Sequence, residues 1–132
     1  MKVGFFFWPY TVELAETMAR HGDTYGYDMV GIADTPGNAM DPWVAAALVA
    51  RLNKKSEISI CVSNFVTRHP AVSAAAIASL DLLAPGRTAL GIGAGHSGTK
   101  NLGAGKGRDR STRVGPGQFG TRIQRVSFSA AW

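Results

Sequence analysis

Four side chains could exchange protons or attack a substrate: Asp34, Cys61, His69 and His96. None of the spacings between them matches the usual patterns of metal ligands, which argues against a metal site. Asp34 follows the apolar run Met29-Val30-Gly31-Ile32-Ala33, so it is either a turn residue or an acid at the carboxyl end of a strand. His69 precedes Pro70 and suits a helix cap as well as it suits a ligand. His96, set among glycines, has fewer structural reasons to be there. His21 lies on an apolar stripe and reads as structural. Cys61 sits within Ile58-Ser59-Ile60-Cys61-Val62 and reads as a small buried hydrophobe, not a nucleophile. The stretch Gly93-Ala94-Gly95-His96-Ser97-Gly98 spells G-x-G-x-x-G. A dinucleotide fingerprint also needs a helix directly after it and an acidic residue ~20 positions on. Here a glycine-rich stretch follows and position 118 is Gln118, so only a backbone loop open to a ligand is expected.

Positioning those residues falls to a regular alternation. Val3 to Trp8 is an apolar run closed by Pro9 and predicts a buried strand. Thr11 caps a helix whose stripe is Leu14, Met18, His21 and Tyr25, stopped at Gly26. Asp41-Pro42 starts a second helix, with Val44, Leu48 and Leu52 facing the core. After the strand from Ile58, Pro70 starts a third, with Val72, Ala76, Leu80 and Leu83 on one face and Ile77 beside them. Arg87 to Ile92 is a fourth strand. The strands begin near Val3, Met29, Ile58 and Thr88, a recurrence of ~29 residues that marks successive βαβ crossovers in a parallel α/β sheet. Eight such units close a TIM barrel, whose active sites lie at the carboxyl ends of the strands. Four such units give length for half a barrel, a partial (β/α)8 barrel, with Asp34, the end of the third strand and the glycine loop expected at that end.

The net charge of +5 is unevenly placed. Residues 1–99 hold seven Lys/Arg and eight Asp/Glu, whereas residues 100–132 hold seven Lys/Arg and only Asp109. The expected division is therefore a half barrel over 1–104 and a basic Gly/Arg-rich, disordered tail over 105–132. In that tail only Ile123, Val126 and Phe128 could anchor a short strand. The abrupt change of composition looks like a frameshifted or truncated reading frame. The tail lacks the spaced aromatics that stack bases, which argues against nucleic acid as a partner. No segment reaches the ~20 apolar residues of a membrane span. A single cysteine fits a cytoplasmic, reducing compartment. Open sheet edges predict association between copies.

Cys61-Val62-Ser63-Asn64-Phe65-Val66-Thr67-Arg68-His69-Pro70, with Asp34 before it and Gly91-Ile92-Gly93-Ala94-Gly95 after it, resembles the bacterial luciferase-like family. Within that family the likeness is greatest to deazaflavin-dependent reductases such as methylenetetrahydromethanopterin reductase. It runs from Met1 to about Ala104, with Asn101-Leu102-Gly103-Ala104 its last recognisable piece. The resemblance implies a flavin- or deazaflavin-dependent oxidoreductase, or monooxygenase, binding FMN or coenzyme F420 and acting on a small-molecule substrate. It implies that the four repeats are the first four βα units of the (β/α)8 barrel. It also implies a cis peptide at Cys61–Val62, in a bulge that backs the cofactor ring. Cys61, Val62, Asn64, His69, Gly93 and Gly95 are the cofactor-binding positions so implied, with Asp34 and His96 as the proton-handling ones. Thr35 stands where a histidine commonly follows the acid, and the phosphate-binding residues of the family mostly lie in a second half beyond this chain. The alternative reading is a non-catalytic fragment or interaction remnant of such an enzyme.

Overall fold

The computed structural model describes residues 1–103 and 122–124. In chain order they form β1 (Gly4–Phe7), α1 (Val12–Thr24), β2 (Met29–Ile32), α2 (Pro42–Leu52), β3 (Glu57–Ser63), α3 (Pro70–Leu83), β4 (Thr88–Ile92), α4 (His96–Asn101) and β5 (Arg122–Gln124). The strands lie side by side in the order β1-β2-β3-β4-β5. The first four run parallel, with Gly4 opposite Met29, Met29 opposite Glu57, and Ile58 opposite Thr88. The expected partial barrel of four βα units is thus present.

The helices begin where their caps dictate. Thr11 Oγ1 accepts from Leu14 N at 3.1 Å, and Asp41 Oδ1 accepts from Trp43 N and Val44 N. Pro42 and Pro70 occupy first-turn positions, where a missing N–H costs nothing. The faces these helices bury match the expected stripes in part: Ile77 and Leu80 are in the core and Leu14, Met18, Leu52 and Ala76 pack against it. In α1 the buried residues are Ala15, Ala19 and Gly22, while Tyr25 is exposed. In α2 they include Ala45, Ala46, Val49 and Ala50, while Val44 is exposed. In α3 they are Ser73, Ile77 and Leu80, with Val72 and Leu83 exposed. Small residues let each helix axis sit close to the sheet, so the bulkier apolar residues move to the flanks. The core lies between helices and sheet, with Phe7, Val30, Ile32, Ile58, Ile60 and Leu90 on the strand side.

The opposite face of the sheet carries the alternate positions. A Cβ placed on Gly31 would lie 2.9 Å from Phe6 Cβ and 3.3 Å from Cys61 Sγ, so these three line one surface. Phe6 is 56% exposed and Trp8 40% exposed, and their rings meet at 5.2 Å. This is the face that would line a complete barrel.

Two expectations about the chain beyond β4 change. A short helix, α4, does follow the glycine loop, with Gly95 at its N-cap in a left-handed conformation (φ 67°). Within the expected tail, β5 pairs antiparallel with β4, Gly91 opposite Ile123. The backbone groups of β4's outer edge seek partners whatever the sequence of the added strand. The rest of the expected tail lies outside the described residues, as does its boundary at 104. Among the described residues, no helix is long and apolar enough to cross a membrane.

Candidate active site at the carboxyl ends of the strands

β3 is regular up to Ile60 and then departs from β4. Ile60 lies opposite Leu90, yet Ser63 lies opposite Ile92, so one extra residue is accommodated between them. The Cys61–Val62 peptide in this bulge is cis, as the resemblance implied. The bulge turns Val62 over the glycines of β4. A Cβ on Gly91 would lie 3.0 Å from Val62 Cγ1, and one on Gly93 would lie 2.9 Å from Val62 Cγ2. Ser63 O accepts from Gly93 N at 2.9 Å, which fastens the two strand ends together.

The bulge also directs Ser63 at β2's end. Its Oγ donates to Asp34 Oδ2 at 2.6 Å, within the range of a charge-assisted O–H···O bond. Burial, the largest influence, pushes the Asp34 carboxyl above its ordinary value. The Ser63 hydrogen bond pulls it down, the Asp41 charge pushes it up and the Arg68 charge pulls it down. The result is a half-buried acid whose neutral form is favoured over that of a free carboxyl. Such a group can hold a proton and deliver it. Burial likewise pushes the Cys61 thiol up, against a hydrogen bond to Ser59 Oγ at 3.0 Å, so Cys61 is no thiolate nucleophile.

Asn64 is 1% exposed. Its Oδ1 accepts from Val66 N, Thr67 N and Thr67 Oγ1, folding the β3–α3 loop around the side chain. Its Nδ2 has no partner among the described residues. A Cβ on Gly95 would come within 2.6 Å of Asn64 Cγ and Nδ2, so the loop after β4 rests directly on this amide. Asn64 therefore joins the two loops from within. His69 is exposed and caps α3, its Nδ1 accepting from Ala71 N at 3.2 Å. His96 is the first residue of α4.

Three further groups belong to this end of the sheet and were not singled out from the sequence as site residues. Ser63 was hidden within the strand. Arg68 reaches from the β3–α3 loop to Asp41, Nη1 to Oδ2 at 3.3 Å, and lies over the Trp43 ring with Cζ 5.3 Å from its centroid. Proline before a helix announced the Asp41 cap, but nothing local announced its distant partner.

The platform fits a flat ring system. Gly91 and Gly93 leave no side chain over Val62, and Cys61 and Val62 are only half-buried. A polar rim of Asp34 and Ser63 stands beside it.

Solved structures share this arrangement of strands and helices. The coenzyme F420 dependent tetrahydromethanopterin reductase of Methanopyrus kandleri matches with a TM-score of 0.72 and 24% identity, over 77% of this chain and 30% of that one. An F420-dependent secondary alcohol dehydrogenase, in complex with an F420–acetone adduct, matches with a TM-score of 0.63 and 28% identity, over 71% of this chain and 32% of that one. The FMN-bound oxygenating constituent of 3,6-diketocamphane monooxygenase from Pseudomonas putida gives 0.71 and 19%, over 96% of this chain and 44% of that one. This chain therefore spans about a third of the length of the first two. The family match runs from residue 8 to residue 124, past Ala104, where the resemblance was read to end. On that match, the chain belongs to the luciferase-like monooxygenase family.

Proposed function

We propose that this chain is the cofactor-holding part of a flavin- or deazaflavin-dependent oxidoreductase, taking FMN or coenzyme F420 and a small-molecule substrate. The observation that carries the reading is the half-buried Asp34 carboxyl, held by Ser63 at 2.6 Å beside the glycine-backed platform of Val62. When bound, such a cofactor supplies two-electron hydride chemistry. The chain's own residues position and protonate. Cys61 and Val62 back the ring, and the bare backbone of Gly91 and Gly93 lets the Val62 side chain pack against β4. Asp34 holds a proton at Oδ1 or Oδ2 while Ser63 fixes the carboxyl plane. His96, at the head of α4, is the second proton-handling group, and Asn64 and Gly95 hold the loops that frame the site. His69 contributes through the cap of α3. The F420-dependent and FMN-bound relatives support this kind of chemistry.

A second reading, for this chain tested by itself, is binding without turnover; the chain matches 30% to 44% of the relatives' length. Hydride transfer needs donor and acceptor held at near-attack distance with water excluded, and one side of the pocket cannot do both. Fluorescence titration of FMN and of F420 into the pure chain tests both readings. The expected result is saturable quenching by at least one cofactor with Kd above ~1 μM and little turnover. Absence of saturation by either at ~1 mM sinks the cofactor reading. Tight binding with rapid turnover sinks the second.

A further inference from the structure

We propose that the Nε–Nη2 edge of Arg68 is an anion subsite, shaped for the two oxygens of a carboxylate or phosphate at the rim of the candidate site. The guanidinium is held from two sides. Asp41 Oδ2 takes Nη1 at 3.3 Å, and the Trp43 ring lies beneath with its centroid 5.3 Å from Cζ. The ring contact and the ion pair together restrain the guanidinium, so the remaining edge keeps one orientation. That edge lacks an acceptor among the described residues. Arg68 Nε is buried with no hydrogen-bond partner there, although the side chain as a whole is 30% exposed. The Nε1 of Trp43 is a second buried donor without a partner among the described residues. A charged N–H withdrawn from water without an acceptor is costly, and such groups in folded proteins point to something that arrives later.

The match is one of geometry and charge. Guanidinium offers two parallel N–H bonds through Nε and Nη2, and a carboxylate or phosphate accepts both. Asp41 is already paired with Nη1, which leaves the Nε–Nη2 edge for an incoming anion. Two sources share this chemistry: the phosphate of a cofactor such as FMN, and an anionic group on a substrate. The subsite stands on Arg68's own geometry and can be tested with no cofactor present.

The test uses the full chain labelled uniformly with 15N. The Arg68 Nε–H signal, assigned by its loss in Arg68→Lys, is followed as inorganic phosphate or acetate is added, with sodium chloride at matched ionic strength as control. Expected is a downfield, saturating movement of that signal with phosphate or acetate and none with chloride. Arg68→Lys keeps the charge and loses the fork, so its affinity for phosphate, followed on the backbone amide of Thr67, falls about tenfold. Movement with FMN but not riboflavin assigns the anion to the cofactor phosphate. Movement with acetate but not FMN assigns it to a substrate carboxylate. A signal that no anion moves, or that chloride moves equally, overturns the proposal. So does equal movement by both flavins, which would mean ring contact, or unchanged phosphate affinity in a folded Arg68→Lys.

Discussion

Replacing Ser63 with alanine tests the central claim about the site, that this hydroxyl governs the Asp34 carboxyl across the gap between β2 and β3. The 2.6 Å bond is short enough to be charge-assisted when Asp34 is ionised, a class of hydrogen bond that contributes ~1.5–3 kcal/mol. Asp34 is only half-buried, so water screens and competes, and about 1 kcal/mol is a fair expectation for the ionised state. When Asp34 is protonated the bond is neutral and worth roughly half as much. The sign of the pH dependence follows from linkage. The folded value of Asp34 is raised above its ordinary 3.8, chiefly by burial, so the native state binds more protons than the unfolded chain between the two values. The stability it contributes is full below the unfolded value and is lost as pH rises through the folded one. Ser63→Ala removes the influence that pulls the folded value down, so the loss shifts to higher pH and the deficit is larger above it. Urea unfolding of Ser63→Ala, Asp34→Asn and the double variant, between about pH 3 and 8, measures this. The cycle should give a coupling of about 1 kcal/mol above the Asp34 titration and less below it. A coupling of zero, or one independent of pH, would refute the reasoning, as would an Asp34 13C titration that Ser63→Ala leaves unmoved.

Gly95→Ala should cost more than ~2 kcal/mol, because φ is 67° and its Cβ would lie 2.6 Å from the Asn64 amide; Gly37→Ala, with φ 77° and nothing within 4 Å, should cost only ~1 kcal/mol. Thermal melts of the two variants separate backbone strain from collision. Asn53→Ala should destabilise by ~3 kcal/mol, since its buried side chain joins Ala19 O, Ser56 Oγ, Ser56 N and Arg87 Nη1, and an intact urea midpoint would contradict that. The exposed Phe6–Trp8 pair at the end of β1, the strand at one edge of the sheet, should make copies associate, and sedimentation should show Phe6→Lys lowering that association; a wild-type chain that stays monomeric at high concentration counts against it.

Much of the fold was legible because its signals are local. Strands covered by helices show as apolar runs, and Thr11, Asp41 and the prolines at 42 and 70 mark helix starts through bonds spanning a turn or less. The glycine that ends each turn needs only its own φ. Legibility failed where the deciding partner is distant. The choice of Ala15 and Ala19 over Tyr25 as the buried face of α1 depends on how closely α1 approaches the sheet and α2, which no stripe of residues records. β5 needed the free edge of β4 to give Arg122–Gln124 a partner. At the site the sequence by itself fixed which residues reach the carboxyl ends of the strands, Asp34, Cys61, Val62 and Gly93 among them, because strand order and strand ends follow from the repeat. Only the tertiary structure paired Ser63 with Asp34, 29 residues apart, and Arg68 with Asp41, 27 apart. Those pairings depend on the extra residue in β3 and on the spacing of neighbouring strands, and they decide which hydroxyl meets the upward-shifted Asp34 carboxyl and which Arg68 donor is left open.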